Sequence, residues 1–220
     1  MPFVVYPLLG VKGLGQSRED WFPRVQRIFS DVPERQIALD ALVGAIVDLK
    51  DVVIEQVHVV FICTHNSRRS QLAQVWAQCI ADDLGIDFVR CHSAGTEQTS
   101  FHPNAIQALE DRGFVVKQVD GKAIESHAVY GANPAHPLHC FSKTLEAEAL
   151  PKQDFIAVTT CDEADRGCPV IPGAFRRIAL PYSDPKVSDG TPSARAIYAE
   201  RSSEIALEML YVLGRIAGSQ

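Results

Sequence analysis

The chain has 220 residues, long enough to bury a sizeable core, and its 46% hydrophobic and 22% charged residues describe an ordinary globular protein. A formal net charge of −6 argues against a nucleic-acid or anionic-membrane partner, since both want a basic face; any anion site must be local. No apolar run approaches the roughly 18 residues of a membrane span.

The opening "MPFVVYPLLGVKGLGQ" is apolar, but no basic region precedes its hydrophobic residues and no small-residue cleavage pattern follows. No secretory leader is therefore expected, and a cytoplasmic location is the default. Six cysteines are expected to be reduced there, with any disulfide catalytic rather than structural. Residues 17–50 read as helices: Ser17 with Asp20 resembles a capping box, and Leu39, Leu42, Val43 and Ile46 share one face at helical spacing. Trp21 is expected to pack in the core, as is Trp76 further on. A strand follows over 56–62, rich in β-branched residues, and ends in a polar loop that begins at Cys63. The next helix buries Leu72, Val75, Trp76, Cys79 and Ile80. A second strand is read over 86–91, with Cys91 as a strand-end core residue. A short helix lies between Pro103 and Gly113, which suit its first turn and its stop.

From about 118 to 153 no period is sustained, and "GANPAHPLHCFSK" is rich in Pro, Gly and His; it reads as a long excursion. His136, His139 and Cys140 lie in it, but their spacing matches no compact zinc site, so no metal is expected. Regularity returns with a strand over 154–160, the polar loop "CDEADRGCP", a strand over 175–180 and the loop "PYSDPKVSDG". A closing helix follows whose stripe is Ile205, Met209, Val212, Leu213 and Ile216. Apolar strands alternating with amphipathic helices predict an α/β fold, a mostly parallel sheet covered on both faces. The loops starting at Cys63, Cys161 and Pro181 each follow a strand, and ligands of such sheets sit at the carboxyl ends of strands, so the three can share one edge.

Cys63 and Arg69 are separated by five residues, and Ser70 follows. A strand-to-helix loop of this length can curl the N–H groups of Thr64, His65, Asn66, Ser67, Arg68 and Arg69 toward one centre, with the helix N-terminus adding partial positive charge. Such a nest fits a tetrahedral oxyanion, and Arg69 adds a planar fork that pairs two oxygens at once. The same field favours the Cys63 thiolate, to which Ser70 can donate a hydrogen bond. On these residues alone, a plain buried cysteine beside surface arginines stays open as the alternative.

With its flanks, the Cys63 loop resembles the active-site loop of low-molecular-weight protein tyrosine phosphatases and of the thioredoxin-coupled arsenate reductases built on the same fold. "TTCDEADRGCP", with Cys161 at a strand end and Cys168 seven residues later before Pro169, looks like the redox loop of those reductases; the phosphatases lack the pair. Asp184 before Pro185 stands where both relatives keep a general acid. "HSAGTE" and "HPNAIQALEDRGF" resemble the segment after the second strand. The resemblance covers about residues 56–220, and it implies a three-layer α/β sandwich around a central, mostly parallel sheet of about four strands, low-molecular-weight phosphatase-like. Residues 1–55 form a helical extension outside it, and 118–153 interrupt it.

The implied activity is reduction of arsenate to arsenite by the Cys63 nucleophile, with Cys161 and Cys168 completing a three-cysteine thiol–disulfide cascade. Cofactors would be none bound, with electrons from a thioredoxin-like protein. The alternative is a phosphatase hydrolysing phosphate monoesters through a cysteinyl-phosphate, or, without catalysis, an oxyanion or redox sensor. Arsenate, phosphate or a phosphate monoester would occupy the loop under either enzymatic reading, and a homodimer contact is one use open to the appended helices. The chain departs from its relatives at four places. His65 stands where glycine is usual, which puts a left-handed loop position in question. Arg68 replaces a second loop cysteine, adding charge for the anion. Gln74 replaces a glutamate tied to a potassium site, so that ion is not expected. Lys186 and Val187 replace the tyrosines that stack on a phenyl ring.

Overall fold

The structure, a computed structural model, describes residues 18–53, 55–131, 137–167 and 170–218, with side chains from Trp21 onward. Ser17 of the expected cap, His136 and Cys168 lie outside these described residues. Helices α1 (Arg18–Ser30) and α2 (Pro33–Lys50) lead to β1 (Val57–Cys63), α3 (Arg69–Asp83), β2 (Val89–Gly95) and α4 (Pro103–Glu110). Three short strands follow, β3 (Val115–Gln118), β4 (Ser126–Tyr130) and β5 (Leu138–Phe141). The chain ends with β6 (Phe155–Thr159), α5 (Asp162–Gly167), β7 (Ala174–Ala179), a 3-10 turn (Pro185–Ser188) and α6 (Ala194–Ala217).

The central sheet has four parallel strands in the order β2-β1-β6-β7. β1 and β6 are almost continuously apolar because both of their faces are covered, as the middle strands of a parallel sheet require. On one face, Val57, Val59 and Phe61 join the main core with α2, α3, α4 and α6; on the other, Val60, Ile62, Ala94 and Ala157 meet Cys161, Ala164 and Ile171 around α5. The register aligns Cys63 with Gly95 and Ile62 with Thr159, and Thr159 with Ala179. The loops after β1, β6 and β7 therefore leave from one carboxyl edge.

The N-terminal helices share the main core. Trp21, Phe22, Val25 and Phe29 are buried, and Phe29 meets Tyr211 of α6 edge-on at 5.1 Å. Gly214 of α6 lets them approach: a Cβ there would lie 2.7 Å from the Phe22 ring. Asp48 of α2 pairs with Arg176 of β7 at 2.8 Å.

Three expectations change. The excursion is more regular than its sequence suggests, since β3, β4 and β5 pair as an antiparallel sheet with Val116 opposite Val129 and His127 opposite Cys140. Strands of four or five residues are too short to show a period, and β4 is buried almost throughout, so no alternation marks it. The second parallel strand runs to Gly95 rather than ending at Cys91, because its last turn-like residues pair with Ile62 and Cys63. The polar stretch after Cys161 forms the six-residue helix α5, with three acidic residues in its first turn where the helix dipole favours them.

Candidate active site

The loop between β1 and α3 is held from outside by its carbonyls. Those of Cys63 and Thr64 accept from the backbone N–H groups of Thr96 (3.2 Å) and Glu97 (2.8 Å), and that of Ser67 from His102 N–H (3.0 Å). The His65 carbonyl accepts from the hydroxyls of Thr99 (2.8 Å) and Ser142 (3.1 Å), and the Asn66 carbonyl from Gln71 Nε2 (3.2 Å). A trans peptide sets its N–H opposite its C=O, so the N–H groups of residues 64–68 are turned away from these partners and toward the inside of the loop. The first turn of α3 contributes its own free N–H groups. Gly95 is the fulcrum: a Cβ there would lie 2.6–2.7 Å from backbone atoms of Glu97, Asn66 and Thr64, so only glycine admits the loop at this distance.

The left-handed residue is Asn66, with φ 44°, and not His65. Asparagine tolerates that region better than most side chains, so the glycine-to-histidine departure at 65 leaves the loop's path intact. Asn66 is 0% exposed and its side chain is spent on architecture: Nδ2 donates to Ser70 Oγ (2.9 Å), and Oδ1 accepts from the Lys143 backbone N–H (2.9 Å). Ser70 Oγ lies 3.1 Å from Cys63 Sγ. Because Ser70 already accepts from Asn66, its own proton is free to be donated to the sulfur.

Arg69 is buried, with NH1 donating to the Tyr182 carbonyl (3.1 Å) and NH2 paired with Asp184 Oδ2 at 2.6 Å. Asp184 caps the 3-10 turn by accepting from Lys186 N–H at 3.0 Å, which fixes the carboxylate at the mouth of the loop. Cys161 is fully buried and free, as is Cys63; its Sγ lies 3.6 Å from Thr64 Oγ1 and accepts from the Ala164 N–H at 3.4 Å. Burial pushes the Cys161 thiol up, and the nearby Cys63 adds to this, against the opposing pull of the Ala164 and Thr64 hydrogen bonds and the Arg69 charge.

Cys63, Ser70, Arg69, Asp184 and Cys161 thus come together at one edge, with Thr64 between the two sulfurs' loops. Two other candidates stand differently. His65 places its imidazole 3.5 Å from Glu97. Arg68 is turned to a cluster of its own: Nε donates to Tyr198 OH (2.6 Å), NH2 to Asp189 Oδ2 (2.7 Å), and Tyr198 OH donates to Asp189 Oδ1 (2.7 Å). Burial and the Asp189 bond push the Tyr198 hydroxyl up to about 12, so it stays a donor to Asp189. Four residues escaped sequence reasoning: Asn66 as a strut, Gly95, Lys143 and Tyr182. Only Gly95 carried a local signal, a glycine at a strand end. Cys79, Cys91 and Cys140 are buried; desolvation pushes the Cys140 thiol up to about 12, and such inert thiols pack as small hydrophobes. Among the described residues no group of three or more His, Cys, Asp or Glu side chains converges on a possible metal position, and no helix is long and apolar enough to cross a membrane.

Residues 58–131 match the family model described as low molecular weight phosphotyrosine protein phosphatase. The chain is similar to an arsenate reductase of Staphylococcus aureus (strain Newman), 29% identical over 126 residues that cover 57% of this chain and 76% of that one. An arsenate reductase of Bacillus subtilis (strain 168) is 27% identical over 142 residues, 64% of this chain and 83% of that one. In fold, the low molecular weight protein tyrosine phosphatase from T. tengcongensis superposes with a TM-score of 0.52 at 16% identity, over 73% of this chain and 99% of that one. The parallel sheet, the strand-end cysteine loop and these relatives together make the chain similar to the low-molecular-weight protein tyrosine phosphatases and to the arsenate reductases, and residues 58–131 carry the family match.

Proposed function

We propose that the protein reduces arsenate to arsenite. In this reading arsenate lies in the loop against the inward N–H groups and the Arg69 fork, and the Cys63 thiolate attacks arsenic(V), forming a sulfur–arsenic bond. Hydroxide leaves and takes a proton from Asp184, departing as water. The Cys161 thiolate then attacks Cys63 Sγ. A disulfide forms, the sulfur–arsenic bond breaks with its electron pair kept by arsenic, and arsenite leaves. Cys168 attacks Cys161, freeing Cys63, and a thioredoxin-like dithiol reduces the 161–168 disulfide, supplying the two electrons.

The observation that carries this reading is the second thiol: Cys161 is buried at the carboxyl edge of β6, beside Thr64, one residue from the nucleophile. Hydrolysis needs no such group. Its raised proton affinity keeps it a thiol at rest, which suits a group that must wait for the adduct before attacking.

A second reading, hydrolysis of phosphate monoesters through a cysteinyl-phosphate, is favoured by the family model matched over 58–131 and by the equal fit of phosphate and arsenate to the same cradle. Against aromatic esters stands the rim after Pro185, where Val187 is 83% exposed and no aromatic ring is offered. The test is NADPH consumption with arsenate, thioredoxin and thioredoxin reductase, for the wild type and Cys161→Ser. Arsenate turnover that falls at least about 100-fold in the variant supports the reductase, a loss appropriate to removing a reacting group. Aryl-phosphate hydrolysis that exceeds arsenate turnover and ignores the substitution overturns it.

A further inference from the structure

We infer that the cavity at the open edge of β2 is a second anion site, separate from the Cys63 loop, built for a small organic anion with a carboxylate or phosphoryl head and an apolar body. The cavity holds about 600 Å³, the size of a small-molecule site. It lies between the edge strand of the main sheet, α3 and the small antiparallel sheet, so three separate stretches of chain supply its basic wall: His58 from β1, Arg90 and His92 from β2, and His139 of β5 with Lys143 just beyond it. Among the described residues that line it, the single acidic one, Asp82, already accepts from Gln78 Nε2 at 2.8 Å.

The charge on this wall is unanswered. Eight arginines elsewhere, Arg35, Arg68, Arg69, Arg176, Arg177, Arg195, Arg201 and Arg215, each sit against a carboxylate. In the cavity, Arg90 donates to the Val89 carbonyl at 2.9 Å and Lys143 Nζ to the Phe141 carbonyl at 3.1 Å, and neither has a carboxylate partner among the described residues. Lys143 is only 4% exposed. A buried ammonium without a counter-charge is costly, and an anion in the cavity removes that cost. In a chain of net charge −6, this concentration of unpaired positive groups is local and specific. Pro137, Leu138 and Phe141 line the same cavity and would cover the apolar body. Lys143 serves the catalytic loop through its backbone alone, its N–H going to Asn66 Oδ1 and its carbonyl accepting from Gly95 N–H, so the loop makes no use of its side chain, which lies against Phe141 in the cavity wall.

The titration of the wall agrees. Burial first, then the His58, Lys143 and Arg90 charges, hold His92 down at about 4, while burial holds Lys143 down at about 8. His58, whose Nδ1 is 3.0 Å from His92 Nε2, is lowered by burial and by Arg90. An anion reverses the mutual repulsion, so binding takes up protons, and affinity rises as pH falls from about 8 toward 6. The groups that face one another here are His58, Asp82, Arg90, Cys91, His92, His139 and Lys143.

The experiment is an NMR titration of the full chain with phthalate and, separately, phenylphosphonate, reading the imidazole signals of His58 and His92. A saturable shift is expected, unaffected by inorganic phosphate held in the Cys63 loop, with affinity about tenfold weaker in Arg90→Gln, as loss of a charge-assisted pair implies. Arg90 is half-buried on an edge strand, so this variant keeps the fold even if Lys143→Met does not. Response to phthalate alone marks a carboxylate ligand, to phenylphosphonate alone a phosphoryl ligand, and to both a site that reads charge and shape. Signals that stay fixed at about 10 mM of either probe, enough to fill a millimolar site, overturn the proposal. So does an Arg90→Gln protein that binds like the wild type.

Discussion

Asn66 holds the site's architecture together through its side chain. It occupies the left-handed corner of the loop and fixes Ser70, and it ties the loop to Lys143 on the far side. Asn66→Ala should cost about 1–3 kcal/mol, because the buried Lys143 N–H is left without its acceptor; urea unfolding measures this. Alkylation of Cys63 by iodoacetamide should slow at the same time, since the Ser70 hydroxyl loses the donor that turns its proton toward sulfur. Unchanged alkylation would show that Ser70 needs no orientation. His92 supports a pH prediction at the same scale. Its folded state resists protonation down to about 4, whereas an unfolded histidine takes its proton near 6.5. Between those values the unfolded chain binds more protons, so stability falls as pH falls through the window. The loss should reach about 1–2 kcal/mol at pH 4.5 after allowing for partial exposure, and His92→Gln should flatten it in urea midpoints taken at pH 7 and 4.5.

Among the elements, α2 has a use beyond packing. Arg35 spans to α6, where it pairs with Glu208 through Nε (2.5 Å) and NH2 (2.8 Å), and NH1 donates to the Pro181 carbonyl at 3.1 Å. Tyr182 OH donates to the same carboxylate at 2.6 Å while the Tyr182 carbonyl receives Arg69. The appended helix thereby braces the segment that carries Asp184. Glu208 is 2% exposed, so Arg35→Ala leaves a buried carboxylate uncompensated and should destabilise by about 3–5 kcal/mol, whereas Arg35→Met with Glu208→Leu should recover most of the loss. Thermal melts of the single and double variants check this. Equal melting temperatures for wild type and Arg35→Ala would mean that the brace is idle.

For the whole molecule, the parallel sheet was legible because its inner strands are covered on both faces and must read as apolar runs. Cys63, Arg69 and Ser70 were legible as a unit because one short loop holds them, whereas Asp184 was singled out only through the resemblance, since an aspartate before proline by itself marks no more than a turn. Arg68 was not. Its partners Asp189 and Tyr198 stand 121 and 130 residues away, and no local pattern tells an arginine that faces a ligand from one claimed by a distant carboxylate. The left-handed position was assigned to His65 by counting from a glycine, whereas Asn66, with a side chain that bonds on both sides, takes it. The small sheet went unseen because its strands are shorter than the period that would reveal them.

The central claim is that arsenic leaves Cys63 when the Cys161 sulfur takes its place. The most direct measurement is a single turnover of Cys168→Ser with arsenate and no reductant, quenched in acid and mapped by peptide mass spectrometry. The account predicts about one arsenite per chain and a peptide pair joined through Cys63 and Cys161. No arsenite, with both thiols still free, would contradict it.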